Sequence, residues 1–363
     1  MTSSSASPSA VSVVHQGIEY AGEFFRVASW TPSLGEALKG DTYFRVVFVA
    51  SPSMVFPRAI HDHRIAVYVP DERSPELERA EAELRVMREA MRTYAAESES
   101  LDLLSTDRDD IEQRAVGAWA ESFRGGQLIA APSLGANLDE LFADGYWSTW
   151  AERIGSLLIA RAYVESPIRH DLLQTALRPE VDTPMLFDAL VGVGDATATF
   201  AMDAFGLGLG LSPRTDPQTR SVASGRLAQV AASGWAPDAI GHALAHEQGM
   251  TYPLATLFLL QWVLNGRHTL RLRAGHGLLC RDGERFAQDT LRADDLAALR
   301  WPQGLWERIE ALEIVEAQEA MDAHLAMLAG PAGQTERLER AAAQRSTELP
   351  EGLQEAPGDA GRG

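Results

Sequence analysis

"TYFRVVFVASPSMVFPRAIHDHRIAVYVP", residues 42–70, carries the two runs that decide the fold. "TYFRVVFVA" (42–50) and "RIAVYVP" (64–70) are rich in β-branched and aromatic residues and are bounded by Pro and Asp, the pattern of strands joined by an ordered loop. Directly downstream, Ser74 can cap a helix and Pro75 can open it, while Leu77, Ala80, Leu84, Met87, Met91 and Tyr94 recur at three- and four-residue steps. That spacing predicts an amphipathic helix packed on its own domain. Asp109 and Asp110 are read as the start of a second helix with Ile111, Ala115, Trp119 and Phe123 inward, and "GGQLIAAP" (125–132) as a further short strand.

Outward from this segment the grammar changes. "NLDELF", "YWSTWAERIGSLLIARAYV" and "TPMLFDALVG" read as helices. A helix around 220–233, another opened by Pro237 and stopped by Gly249, and an apolar helix at 253–264 follow. Then "HTLRLRAGHGLLCRDG" alternates apolar and polar residues around Gly275 and Gly277, so the order is helix, turn, helix, hairpin, as in a winged helix-turn-helix. The expected fold is α+β and predominantly helical. Its expected parts are a disordered leader (1–12), a small α/β portion with a helical hairpin (13–132), a helical middle (133–215), a winged-helix-like portion (216–310), a terminal helix (311–330) and a disordered tail (331–363).

Composition bounds the function. Lys+Arg total 32 against 51 Asp+Glu, a net charge of −19 that favours solubility and opposes broad attraction to nucleic acid or anionic lipid. The single cysteine, Cys280, excludes an intrachain disulfide and a multi-thiolate zinc site, is expected to be core, and fits a reducing cytoplasm. "MTSSSASPSA" lacks a basic start and an apolar signal core, and "YPLATLFLLQWVL" (252–264) is well short of the ~20 residues of a membrane span, so no membrane role is expected. Lys39 is the lone lysine and stands outside any Gly-Lys-Ser/Thr, so there is no phosphate-binding loop. "AFGLGLGLSP" (204–213), with Gly206, Gly208 and Gly210, does not complete a dinucleotide fingerprint and reads as a loop or helix terminus.

Catalytic signatures are equally sparse. In "APDAIGHALAHEQG" (236–249), His242 and His246 stand one helical turn apart, but Glu247 lies outside the pair, whereas the helical zinc site needs the glutamate between two histidines. The helix is read as scaffold with an exposed or interface-facing histidine face, and His242/His246 as metal ligands form the minor alternative. "HDH" (61–63) is read as a structural loop, in which His61 and His63 share one side and Asp62 the other. No G-x-S-x-G elbow is present, so no catalytic residue is assigned and no cofactor is expected. The hairpin region is locally positive, and Arg267, Arg271, Arg273, Arg281 and Arg285 are the candidate phosphate contacts.

"IAVYVPDERSPELERAEAELRVMREAMRTY", "GGQLIAAP", "GWAPDAIGHALAHEQGMTYPLATLFLLQWVLNGRHTLRLR" and "RDGERF" resemble stretches that follow the nucleotide-binding core in large bacterial phage-resistance ATPases of the Pgl and BREX type. The resemblance spans residues 40–310 and lacks those ATPases' phosphate-binding loop, so ATP hydrolysis does not carry over. It implies a place in an antiviral or DNA-associated complex, with a P-loop ATPase as protein partner and the winged-helix-like segment as a regulatory or docking module. The expected function is therefore a non-catalytic cytoplasmic assembly or regulatory protein. The alternatives are a sequence-tolerant DNA binder acting through the winged-helix-like portion, and a metal-dependent hydrolase using His242 and His246.

Overall fold

The computed structural model describes residues 7–72, 75–93, 98–123, 125–143 and 146–315. Among the described residues helices make up 46% and strands 17%, a mixed α+β protein. The chain opens with strand β1 (Ser9–His15), which returns at once as β2 (Ile18–Val27). Gln16 and Gly17 both have positive φ, 46° and 78°, the backbone of a two-residue turn whose twist matches antiparallel strands. This corrects the expected leader from Ser9 onward: Val11 and Val13 face the core with Ser12 between them, and Ser9–His15 pairs with β2, while residues 1–6 lie outside the described residues.

Strands β3 (Phe44–Val49) and β4 (Ile65–Val69) follow as the sequence predicts, parallel to β2 and to each other. Each has both faces buried, which is why they read as continuous apolar runs instead of alternating ones. A helical hairpin, α1 (Pro75–Thr93) and α2 (Ser98–Phe123), is inserted before β5 (Gln127–Ala130), which pairs antiparallel with β4 from Val69↔Gln127 to Ala66↔Ala130. Among the described residues these strands make one five-stranded sheet in the order β1-β2-β3-β4-β5.

Ala80, Leu84, Ile111 and Ala115 form a small core private to the hairpin, with Met87 against it, and Arg114 reaches Glu83 across it at 3.3 Å. Its foot, Val116 and Trp119, joins the main core, where Trp119 stands edge-on to Trp147 at 4.4 Å. Asp109 and Asp110 lie mid-helix on the outer surface, so they do not open α2, which begins eleven residues earlier at Ser98. Ser74, Tyr94 and the side chains of Leu77 and Phe123 lie outside the described residues, as does the tail over 331–363.

The middle of the chain is helical as expected: α3 (Leu138–Leu141), α4 (Trp147–Ala162), α5 (Pro179–Leu190) and α6 (Ala196–Phe205). It shares its core with the sheet. Trp150, Ile154 and Leu158 of α4 pack with Phe44, Val46 and Phe48 in a buried cluster that runs from Val11 to Ile309. The approach is close because the Phe44 ring lies between two glycines, Gly22 of β2 and Gly155 of α4, where an added Cβ would fall 2.3 Å from the ring on either side. The opposite sheet face, Val47, Val49, Ile65, Val67 and Val69, is covered by the connections carrying Leu38, Val55 and Ile60.

The last third holds α7 (Pro217–Ala231), α8 (Pro237–His246), α9 (Tyr252–Leu264), β6 (His268–Leu272), β7 (Thr290–Leu291), α10 (Leu305–Arg308) and β8 (Ile309–Ile314). The three strands form an antiparallel sheet in the order β7-β6-β8. Strand β8 replaces the start of the helix expected at 311–330, because Leu312 pairs with Leu270 and Ile314 with His268; residues 316–330 lie outside the described residues. α9 is apolar all round and sits within the core, as its sequence predicts.

Candidate functional site

Asp62 and Arg64 stand at the threshold of β4, where the chain passes from loop into buried strand. Asp62 is 8% and Arg64 3% exposed, and their guanidinium–carboxylate pairing is bidentate: Nε to Oδ1 at 2.9 Å and Nη2 to Oδ2 at 2.7 Å. The amides of Arg64 and Leu38 donate to the same carboxylate at 3.0 and 3.1 Å. The other arm of Arg64, Nη1, donates to Tyr163 Oη at 2.8 Å and faces His246 Nδ1 at 2.5 Å. Tyr163 passes its own proton to the carbonyl of His246 at 3.1 Å. One network thus ties the β4 threshold, the end of α4 and the end of α8.

The tautomer of His246 follows from its neighbours. A guanidinium has no acceptor, so Nδ1 must carry the lone pair, and Nε2 carries the proton donated to Gly40 O at 3.1 Å. Burial first, then the charges of Arg64 and His242, hold its pKa down to about 3. Burial alone would raise Asp62, but the hydrogen bonds and charge of Arg64, with the Leu38 amide, outweigh it and hold the carboxyl down to about 2. Burial pushes Tyr163 up to about 12. Tyr20 stacks on Tyr163 at 5.2 Å and donates to Gly249 O at 2.7 Å, and Tyr43 accepts the Tyr252 amide at 2.8 Å.

Chemically, this arrangement holds the fold. His246 is 1% exposed, both ring nitrogens are engaged, and an imidazole with so low a pKa does not shuttle protons near neutrality. His242 is exposed with its ring centroid 4.7 Å from that of His246, so the pair does not share one exposed face as expected: one member is surface, the other core. Among the described residues no group of three or more His, Cys, Asp or Glu is placed to hold a metal ion. His61 and His63 point outward and Asp62 inward, the alternation expected of the loop.

The arginines of the 267–285 region are largely spoken for. Arg271 lies 3.5 Å from Glu313 and 3.9 Å from Glu310, Arg273 lies 3.9 Å from Asp238, and Arg281 meets Asp188 at 2.5 Å. Arg267 and Arg285 are exposed and show no ion pair among the described residues. Cys280 is half-buried in the β-bridge opposite Leu299. Gly206 ends α6, and Cβ atoms at Gly206 and Gly208 would strike Met202 and Leu173, so these glycines serve packing at a helix terminus. An open groove of about 500 Å³ beside the network is lined by Tyr163, Glu165, Arg226, Glu247 and Gln248, with Arg226 held by Glu165 and Gln248, each at 3.3 Å.

Sequence reasoning singled out His246 and Asp62 but missed Arg64, Tyr163, Tyr20 and Tyr43. The available signal was the charge of Arg64 at the mouth of an otherwise unbroken apolar strand, a position where a cation needs a partner. Comparison with known proteins finds no matching family model, no similar curated protein and no similar solved structure. Among the described residues no helix is long and apolar enough to cross a membrane.

Proposed function

We propose that the chain is a non-catalytic assembly or regulatory protein of the cytoplasm, working beside a P-loop ATPase in phage defence or another DNA-associated process. The observation that carries this reading is the α1–α2 hairpin: a two-helix arm with its own small core, set between adjacent strands and joined to the body at its foot. Such an arm offers surface for a partner, while the polar side chains suited to chemistry are engaged in holding the sheet to α4 and α8. The resemblance to segments following the nucleotide-binding core of Pgl- and BREX-type ATPases supplies the class of partner.

In this reading α7, α8, α9, β6, β7 and β8 form a winged-helix-like docking module. Its third helix is core: α9 is buried around its circumference and has no free face for a DNA groove. The ion pairs of Arg271, Arg273 and Arg281 support reading the module as a protein-docking one ahead of a nucleic-acid one.

The test replaces residues 73–124 with a short Gly/Ser turn joining Glu72 to Gly125, which the antiparallel pairing of Val69 with Gln127 permits. The shortened protein is expected to melt cooperatively yet no longer co-elute with a co-expressed Pgl- or BREX-type ATPase that the full chain accompanies. Co-elution that survives the deletion, or Mg-ATP turnover by the chain alone that is lost on Lys39→Ala, would overturn the reading.

A further inference from the structure

We infer that the contact of His246 with Arg64 and Gly40 is an acid-sensitive latch: protonation of His246 releases the end of α8 and the turn into α9 from the sheet. The geometry leaves the closed state no room for an imidazolium. With Nδ1 2.5 Å from a guanidinium nitrogen, a second ring proton would set N–H against N–H and cation against cation. A ring flip would set Cδ2 against Arg64 and Cε1 against Gly40 O, so both contacts would be lost and the two cations would still face each other.

The surroundings offer the imidazolium little relief. Asp62 is committed through both oxygens to Arg64, and its pull on the ring is smaller than the push from Arg64 and from His242 on the same helix. Tyr43 at the start of β3 and Tyr252 at the start of α9 flank the ring at 5.3 and 5.5 Å, and Tyr163 at the end of α4 binds the His246 carbonyl. The acids Asp41, Glu180, Glu307 and Asp238 act on Tyr43 and Tyr252. The depressed pKa of His246 agrees with this inventory.

What the latch holds is local. Gly249 has φ +68° with Tyr163 packed where a Cβ would stand, Thr251 has φ +58°, and the amides of Met250 and Tyr252 bond to Leu244 O at 2.9 Å and Tyr43 Oη at 2.8 Å. A turn with two left-handed residues depends on its neighbours to stay shut.

Hydrogen exchange of the full chain from pH 7.5 to 4.5, corrected for intrinsic rates, tests this. Opening at the Met250 and Tyr252 amides is expected to grow about tenfold per pH unit below ~6.5, the slope for uptake of one proton on opening, while Val47 and Val67 in the central strands stay protected. His246→Gln, which keeps a donor and an acceptor without a titrating ring, is expected to abolish the slope. A flat profile in the wild type, or equal slopes in both proteins, overturns the latch. Should the variant not fold, ¹⁵N-histidine NMR of the wild type decides: His246 is expected neutral, with its proton on Nε2, at pH 5.5. An imidazolium forming near pH 6.5 in the closed protein overturns it.

Discussion

Gly155→Ala is expected to destabilise the protein although helix propensity alone gives the opposite sign. Gly155 lies inside α4, where alanine is worth about 1 kcal/mol over glycine. Against this, the new methyl carbon would sit 2.3, 2.7 and 2.8 Å from three atoms of the Phe44 ring, when an ordinary carbon contact is about 3.5–4.0 Å. The ring cannot retreat, because its far edge already lies 2.3 Å from where a Cβ on Gly22 would stand, and Gly22 is its cross-strand partner. Overpacking of a tight core costs about 1–3 kcal/mol, and with three ring atoms this close the upper part of that range, about 2–3 kcal/mol, applies, so the net loss is about 1–2 kcal/mol once propensity is subtracted. At this chain length that corresponds to a fall in Tm of roughly 1–3 °C. Thermal and urea melts measure it, and Phe44→Leu in the same background separates the clash from any general effect: the two changes should couple favourably by about 0.5–3 kcal/mol. A Gly155→Ala protein as stable as wild type, or more so, would refute the argument that glycine sets the distance between α4 and the sheet.

Three other outcomes follow from the same geometry. Leu84→Ala should cost ~2–5 kcal/mol, felt mainly as faster hydrogen exchange within α1 and α2 because their core is private; unchanged exchange there would place Leu84 at the surface. Asp62→Asn, which leaves Arg64 buried without its anion, should cost roughly 3–5 kcal/mol at neutral pH. Because the folded pKa of Asp62 is held to about 2, below its ordinary 3.8, the wild type keeps this contribution above pH 3.8 and loses it as pH falls toward 2, so denaturant midpoints of the two proteins should converge across that window; parallel curves would contradict the pairing. Arg271→Ala with Arg273→Ala should leave the salt dependence of DNA anisotropy unchanged, since both cations face acids of their own chain, whereas a slope reduced by about 0.9 per lost contact would restore strand β6 as a phosphate site.

How far the sequence announced this structure depended on the range of the forces involved. β3, β4 and α1 were legible because burial on both faces or along one stripe writes itself into neighbouring residues. β2 carries the same kind of signal, with Ile18, Tyr20 and Phe24 inward and Glu19 and Glu23 between them, yet its glycine and charges obscured the alternation. β8 reads as helix because alanine and glutamate favour helices, and only its ladder with β6 makes it a strand. The polar network was the least legible part, since Arg64 and His246 are 182 residues apart and nothing local to either names the other.

That separation also sets an order of events on the ribosome. At about 5–20 residues per second, roughly 10–40 s pass between synthesis of Arg64 and of His246. For about the first half of that interval the nascent sheet presents to solvent the face destined for α4, and Arg64 gains Tyr163 and then His246 only as α4 and α8 are made. The first 130 residues, although they contain every strand of the larger sheet, are therefore not a self-sufficient folding unit, and chains released before α8 and α9 emerge should be substrates for chaperones and proteases.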